Sequence, residues 1–267
     1  MTGLRMSGRA PGASLRPFVT RLVAYREEYG TPLERDELPF PGSVLIFCIE
    51  SAMEVDGVPY TSFTGGLTDR ATATRISGPT EGVEVMLTPL GARRLLGVPM
   101  SELTNLTVPA EEVLGGWSRS VSARLAAEPS WAGRLTLVEE LVGARLAEGP
   151  ATRPEIAWAW GRLVRSGGRV AVAELAAELE WSHRHLVARF HDGIGLAPKA
   201  AARIIRFDRA LGLVRAGRRP AKVAAECGFF DQAHLNREFR ALAGAPPGRF
   251  VPIGLDRDRG PQASVAL

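Results

Sequence analysis

Val223-Ala224-Ala225-Glu226-Cys227-Gly228-Phe229-Phe230-Asp231-Gln232-Ala233-His234-Leu235-Asn236-Arg237-Glu238-Phe239-Arg240 decides how the second half of this chain folds. Pro220 to Cys227 reads as a helix, Gly228 breaks it, and Asp231 stands where the N-cap of a second helix, running to Leu242, belongs. The carboxylate there accepts from an otherwise unpaired first-turn N–H. Leu235 and Phe239, four residues apart, mark its inward face. An earlier segment, Val172 to Asp192, repeats the layout. Val172, Leu175, Ala176 and Leu179 form the apolar stripe of a short helix, Ser182 is the N-cap, and Leu186 and Phe190 repeat the inward pair. In a helix-turn-helix DNA reader the first helix braces the backbone, and the second offers its outward residues to base edges in the major groove.

Two such copies joined by one helix say more than either alone. Pro198 suits the start of the connecting helix, Ile204, Phe207, Leu211 and Val214 share one face, and Gly217 ends it. Lys199 to Gly217 is nineteen residues, roughly 28 Å at 1.5 Å per residue. That length is comparable with the ~34 Å between successive major-groove faces of B-DNA. Ahead of the first copy, Ile156, Trp160 and Leu163 define a further helix, and a short turn around Pro246-Pro247 follows the second.

The first half has another texture. Residues 1–14, rich in Gly, Ser and Arg without a period, read as a flexible tail. Ser43 to Glu50, Tyr60 to Thr64, Thr72 to Ser77 and Gly82 to Leu87 are β-prone runs separated by Asp56-Gly57, Gly65-Gly66 and Gly78-Pro79. They predict an antiparallel sheet or small barrel. After Pro89 the period lengthens, with a short helix at Leu90 to Leu96 and longer ones at Trp117 to Ala127 and Trp131 to Ala147. Gly149-Pro150-Ala151-Thr152-Arg153-Pro154 breaks the pattern and sets the boundary. The fold class is therefore α+β. A β-rich sensor or dimerisation domain with trailing helices spans 15–150, an all-α domain of about seven helices spans 151–253, and a second tail spans 254–267.

Charge follows the same division. Of 33 Lys and Arg and 29 Asp and Glu, nineteen and eleven lie from residue 151 onward, a net of +8 against −4 before it. A basic module joined to an acidic one is the pattern expected when only one half meets a polyanion. Arginine outnumbers lysine 31 to 2, a bias of composition rather than of role. Cys48 and Cys227 lie far apart outside any Cys-x-x-Cys spacing and read as buried small hydrophobes in a reducing compartment. With no apolar run of eighteen residues and no secretory signal, the expectation is a cytoplasmic protein with no membrane partner.

The quoted stretch, followed by Gly244, Pro247 and Phe250, closely resembles the signature of AraC/XylS-type bacterial transcription regulators. Leu175-Ala176, Ser182, Leu186, Phe190, Gly195 and Pro198 extend the resemblance, as do Arg206, Phe207 and Ala210, so that it covers about Ile156 to Val251. The front half, with Gly65-Gly66-Leu67-Thr68-Asp69-Arg70 and Thr88-Pro89-Leu90-Gly91, looks like the sensor region of a subgroup of these regulators. The resemblance implies that Asp231 to Arg240 is the second recognition helix, with Gln232, His234, Asn236, Arg237 and Arg240 toward double-stranded DNA. Gln and Asn suit adenine, and Arg suits guanine or phosphate. In the first motif the matching positions are His183, Arg184, Val187 and Ala188. The family commonly has Arg where Ala188 stands; here Arg moves to Arg189, and Arg184, Arg189 and His191 are left to hold phosphates. Along the connecting helix and beyond cluster Arg203, Arg206, Arg209, Arg215, Arg218, Arg219 and Lys222; some of them meet phosphate, with pairing to Asp208 or Glu226 inside the domain as the alternative for Arg206 and Arg209. An acidic sensor domain implies a homodimer and a small-molecule effector, and an activator would also meet RNA polymerase.

The competing reading is a small-molecule-binding or catalytic β-barrel whose helical half is a dimerisation module. All four histidines, His183, His185, His191 and His234, lie outside the β-rich half, which argues against a barrel metal site. His183 and His185, two apart on a helix, make a poor metal pair. Gly-x-Ser-x-Gly, the P-loop and the dinucleotide glycine fingerprint are absent, and Cys48 in Ile46-Phe47-Cys48-Ile49 reads as core. No enzyme, cofactor or metal site is expected. Trp117 and Trp131 with Leu137 and Leu141 read as core in preference to an oligomer face.

Overall fold

A computed structural model describes residues 3–251. The tail expected over 254–267, and the last two residues of the expected helical domain, lie outside the described residues. Two antiparallel sheets come first. In the six-stranded one the spatial order is β1 (Gly3–Arg9), β2 (Val19–Glu28), β9 (Thr80–Leu87), β4 (Ser43–Cys48), β7 (Ser62–Gly65) and β10 (Thr107–Pro109). The four-stranded one runs β3 (Leu33–Glu37), β8 (Thr72–Ile76), β5 (Met53–Val55) and β6 (Val58–Tyr60). Neither closes on itself, so the small-barrel alternative gives way to two facing sheets.

The tail expected over residues 1–14 is corrected by β1, which pairs with β2 from Gly3↔Glu28 to Arg9↔Leu22. Its side chains are partly or fully exposed. Only Leu4 and Met6 of this edge strand turn inward, half-buried against the core between the sheets, too short an alternation to stand out among Gly, Ser and Arg; the strand is held by them and by hydrogen bonds to β2.

Period-2 alternation in the larger sheet assigns its two faces. Leu22, Ala24, Leu45, Phe47, Val83, Val85 and Leu87 meet the helices α1 (Pro89–Leu96), α2 (Ala110–Leu114), α3 (Gly116–Ala127) and α4 (Trp131–Glu148) in the first core. Trp117 and Trp131 pack on that core. Trp117 lies edge-on to Phe47, and the Trp131 indole donates to Glu81 at 2.9 Å. The opposite face sends Val23, Tyr25, Ile46 and Phe63 toward Met53, Val55 and Ile76 of the smaller sheet. Between the sheets is a cavity of about 150 Å³.

The remaining helices are α5 (Pro154–Arg165), α6 (Val172–Glu178), α7 (His183–Ile194), α8 (Pro198–Arg215), α9 (Pro220–Cys227) and α10 (Gln232–Ala243), with a short 3-10 turn at Pro247–Phe250. They build two cores joined by α8. Ile156, Trp160, Leu175, Leu186, Phe190 and Ile204 fill one, and Phe207, Leu211, Val223, Leu235, Phe239 and Leu242 fill the other.

Residues of the β-rich part enter both. Leu67 is buried in the first helical core and Leu38 in the second. Gly66 precedes Leu67 because any side chain there would strike the Leu103 carbonyl. Gly91 is held the same way, against the Phe18 carbonyl, one turn after Thr88 caps α1 by accepting from its N–H at 3.0 Å. The two glycine-bearing motifs of the first half thus serve close backbone approach.

Candidate nucleic-acid interface

From their caps onward the two helix-turn-helix units are built alike, residue for residue, at an offset of 49. Ser182 accepts from the N–H of His185 at 3.2 Å and Asp231 from that of His234 at 2.6 Å. Leu186 and Leu235, then Phe190 and Phe239, are fully buried. Gly195 and Gly244 end the helices in the left-handed conformation, at φ 98° and 65°.

The turns before the caps are also homologous in geometry. The Trp181 N–H returns to the Ala176 carbonyl and the Phe229 N–H to that of Ala224, both at 2.9 Å. Each bond spans five residues across a residue of positive φ, the usual way a helix closes its last carbonyls. In the second unit that residue is Gly228, at φ 76°; in the first it is Glu180, at φ 55°. A left-handed glutamate is crowded at its Cβ. Glu180→Gly is therefore expected to raise stability by about 0.5–1 kcal/mol, the relief exceeding the added unfolded-state entropy. Urea denaturation checks this, and Glu180→Ala, which keeps the Cβ, should bring no gain.

The second turn is one residue longer, and the extra residue is Phe230, 92% exposed. Its N–H donates to His234 Nδ1 at 3.3 Å, and the imidazole stands edge-on to Phe229 at 5.4 Å. His234, expected to face DNA, is thus engaged with the turn that aims α10. His185 likewise meets the Trp181 ring at 4.5 Å.

Outward positions form stripes at helical spacing. On α10, Gln232, Ala233, Arg237 and Arg240 are exposed and Asn236 half-buried. On α7, His183, Arg184, Ala188 and Arg189 are exposed and Val187 and His191 half-buried. By the offset, Ala188 occupies the place of Arg237, so α7 offers no guanidinium at the centre of its stripe.

Not all the basic residues of α8 are available to phosphate. Arg203 Nε pairs with Glu238 at 2.5 Å, tying α8 to α10. Arg206 Nη1 donates to the Gly168 carbonyl at 2.5 Å, in place of the expected pairing with Asp208 or Glu226. Arg218, Arg219 and Lys222, in the loop and first turn before α9, are exposed. Burial raises the Asp208 carboxyl above its ordinary range, with Arg215 opposing.

The first unit also touches the β-rich part. The 3-10 turn Met100–Leu103 and α1 pack on α7, and the Thr104 hydroxyl donates to the carbonyl of the helix-ending Gly195. Asn105, Leu106 and Thr107, next along the chain, line the cavity, as does Leu38. Sequence reasoning assigned no residue to an effector site, although Gly65, Gly66 and Thr68 of the motif it quoted line the cavity. A lone Glu84 in Gly82-Val83-Glu84-Val85 signals little until the facing of its strand is known.

No helix among the described residues is long and apolar enough to cross a membrane. A family model described as a helix-turn-helix domain matches residues 175–251, and one described as a domain of unknown function (DUF6597) matches residues 8–109. No curated protein matches the chain. Among solved structures, ToxT from Vibrio cholerae is 10% identical over 93% of this chain and 98% of its own, at a TM-score of 0.49. An unsaturated fatty acid bound wild-type ToxT from Vibrio cholerae strain SCE256 gives 11%, 94%, 95% and 0.48. The C-terminal domain of AraT, a response regulator from Geobacillus stearothermophilus, is 18% identical over 37% of this chain and 84% of its own, at 0.35. A helix-turn-helix family model matched over the segment whose residues carry the resemblance, with both capped helices in place, shows that residues 175–251 form a helix-turn-helix domain.

Proposed function

We propose that this DNA-binding transcription regulator reads sequence through two adjacent major-groove segments, one with α7 and one with α10. The supporting observation is the duplication: two caps, two inward Leu–Phe pairs and two uncovered outward stripes at a constant offset. The eighteen residues of α8 span roughly 27 Å at 1.5 Å per residue, near the rise of one duplex turn. In α10, Gln232, Asn236 and Arg237 supply base contacts, with Arg240 on phosphate. In α7, His183, Arg184, Val187 and Arg189 serve mainly to position the chain on the backbone.

The β-rich residues 15–150, extended by the β1 strand, sense an effector in the cavity between the sheets and carry the homodimer contact. Residues 151–253 carry DNA binding, and an activating role adds contact with RNA polymerase. Control by ligand follows from shared walls: Leu38 and the segment from Met100 to Thr107 touch the cavity on one side and the helical cores on the other. The protein acts in the cytoplasm, by binding and not by catalysis.

Footprinting of the full chain on fragments selected from genomic DNA is the test. The expected result is a subset of fragments protected over two major-groove stretches about one turn apart on one face of the duplex. Equal retention of all fragments at moderate salt would show that no sequence is read.

A further inference from the structure

We infer that the cavity between the two sheets binds a compact apolar molecule carrying a basic nitrogen, and that Glu84 receives its positive charge. The inference rests on the effector role given to this cavity above and adds the chemistry of the ligand.

On β9, Val83, Val85 and Leu87 face the helices, while Glu84 and Met86 face the cavity. Val23, Ile46, Met53, Val55, Phe63 and Met86 give the walls their apolar character. About 150 Å³ of space suits a single aromatic ring, the size at which an apolar cavity of ~150 Å³ accepts benzene.

The charged lining is unbalanced. It holds four carboxylates, Glu27, Glu37, Asp56 and Glu84, and one guanidinium, Arg35. Arg35 is already engaged: Nη1 donates to both Glu27 oxygens at 3.1 and 2.9 Å, and Nε to Glu37 Oε1 at 2.6 Å. An anionic ligand would have to take Arg35 from both partners. Asp56 accepts from the Ala73 N–H at 2.9 Å. Glu84 alone has neither a hydrogen bond nor an ion pair among the described residues. Its partial accessibility, deep in the domain, is to the cavity. A second polar group waits beside it. Tyr25, 5% exposed, lines the cavity, and its hydroxyl has no hydrogen-bonded oxygen or nitrogen; its polar neighbour is the Cys48 thiol, a weak partner.

An unpaired carboxylate in an apolar cavity is costly, and burial accordingly lifts the Glu84 carboxyl to about 7. Glu37 and Glu27 add to the rise, while Arg35 and Arg21 oppose it. A bound ammonium would supply the missing counter-charge.

Calorimetric titration of the full chain with benzylamine, benzyl alcohol and phenylacetate at pH 6 and pH 8 is the test. Benzylamine should bind best and about tenfold more tightly at pH 8. A carboxyl titrating near 7 is roughly one-tenth ionised at pH 6 and nine-tenths at pH 8, while an alkylammonium keeps its proton at both. Glu84→Gln should abolish the preference and its pH dependence while leaving benzyl alcohol binding within about twofold. Three results would each overturn the assignment: phenylacetate favoured over benzylamine, benzylamine binding unchanged by Glu84→Gln, or no benzylamine heat from folded protein. A gel shift on the same preparation separates the two readings. Specific DNA binding without amine binding removes only the ligand assignment, whereas amine binding without specific DNA binding removes the regulator reading and leaves the cavity assigned.

Discussion

The Arg237→Ala, Arg240→Ala double variant is expected to bind the best genomic site about a hundredfold more weakly than the parent chain. A bidentate Arg–guanine contact is worth about 1–3 kcal/mol of discrimination, and a phosphate contact adds a salt-dependent increment. Both side chains are exposed and neither has an ion-pair partner among the described residues, so their loss opens no cavity and strands no buried charge. The melting temperature should therefore stay within a degree or two. Gel shifts over a salt series divide the effect: Arg240→Ala should lower the salt slope by about one, and Arg237→Ala should relax base preference at one position. Arg184→Ala with Arg189→Ala should cost nearer tenfold, because Ala188 leaves α7 without a central guanidinium. Arg203→Ala is the contrasting control. It breaks the Arg203–Glu238 tie between α8 and α10 and should lower stability along with affinity. A larger loss from the α7 pair than from the α10 pair would reverse the roles given to the two helices.

What could be foreseen of this molecule divides along the range of the interactions involved. Ser182 and Asp231 as caps, Pro198 as a helix start, and the Leu186–Phe190 and Leu235–Phe239 pairs depend on neighbours within a few residues, and each stands where local rules placed it. The strands are different. β2 is buried on both faces from Leu22 to Tyr25 and changes register between Val19 and Arg21, so it lacks the alternation by which a strand is known. β1 owes its order to pairing with β2 and to the half-burial of Leu4 and Met6, which depend on elements far along the chain. Side-chain direction was also hidden where a third element intervenes. His234 stands edge-on to Phe229 and accepts from the Phe230 N–H, and Arg206 finds the Gly168 carbonyl 38 residues away. Glu84 could be seen as an acid in an apolar run, yet which sheet face it joins depends on pairing with β2 and β4.

Glu84→Gln should make the protein more stable than the parent by about 3 kcal/mol at pH 8 and by almost nothing near pH 4. The folded carboxyl titrates at about 7 against a reference of 4.5. Between those values the native state holds a proton that the unfolded chain has released. Stability is then fully present below 4.5 and falls as pH rises to 7, by about 1.4 kcal/mol per unit of separation. Glutamine has no such proton and escapes the fall. Glu27, raised chiefly by burial, follows the same sign. Glu81 runs the other way: burial alone would raise it, but hydrogen bonds from Trp131 and Arg134 lower it, so its stabilisation is lost only in acid. Both are common to the two proteins and cancel in the difference, which urea melts from pH 4 to pH 8 would measure. Parallel curves would mean that Glu84 is solvated like any surface acid. Curves diverging between pH 4.5 and 7 would mean that the fold carries an uncompensated carboxylate, as a site held ready for a cation requires.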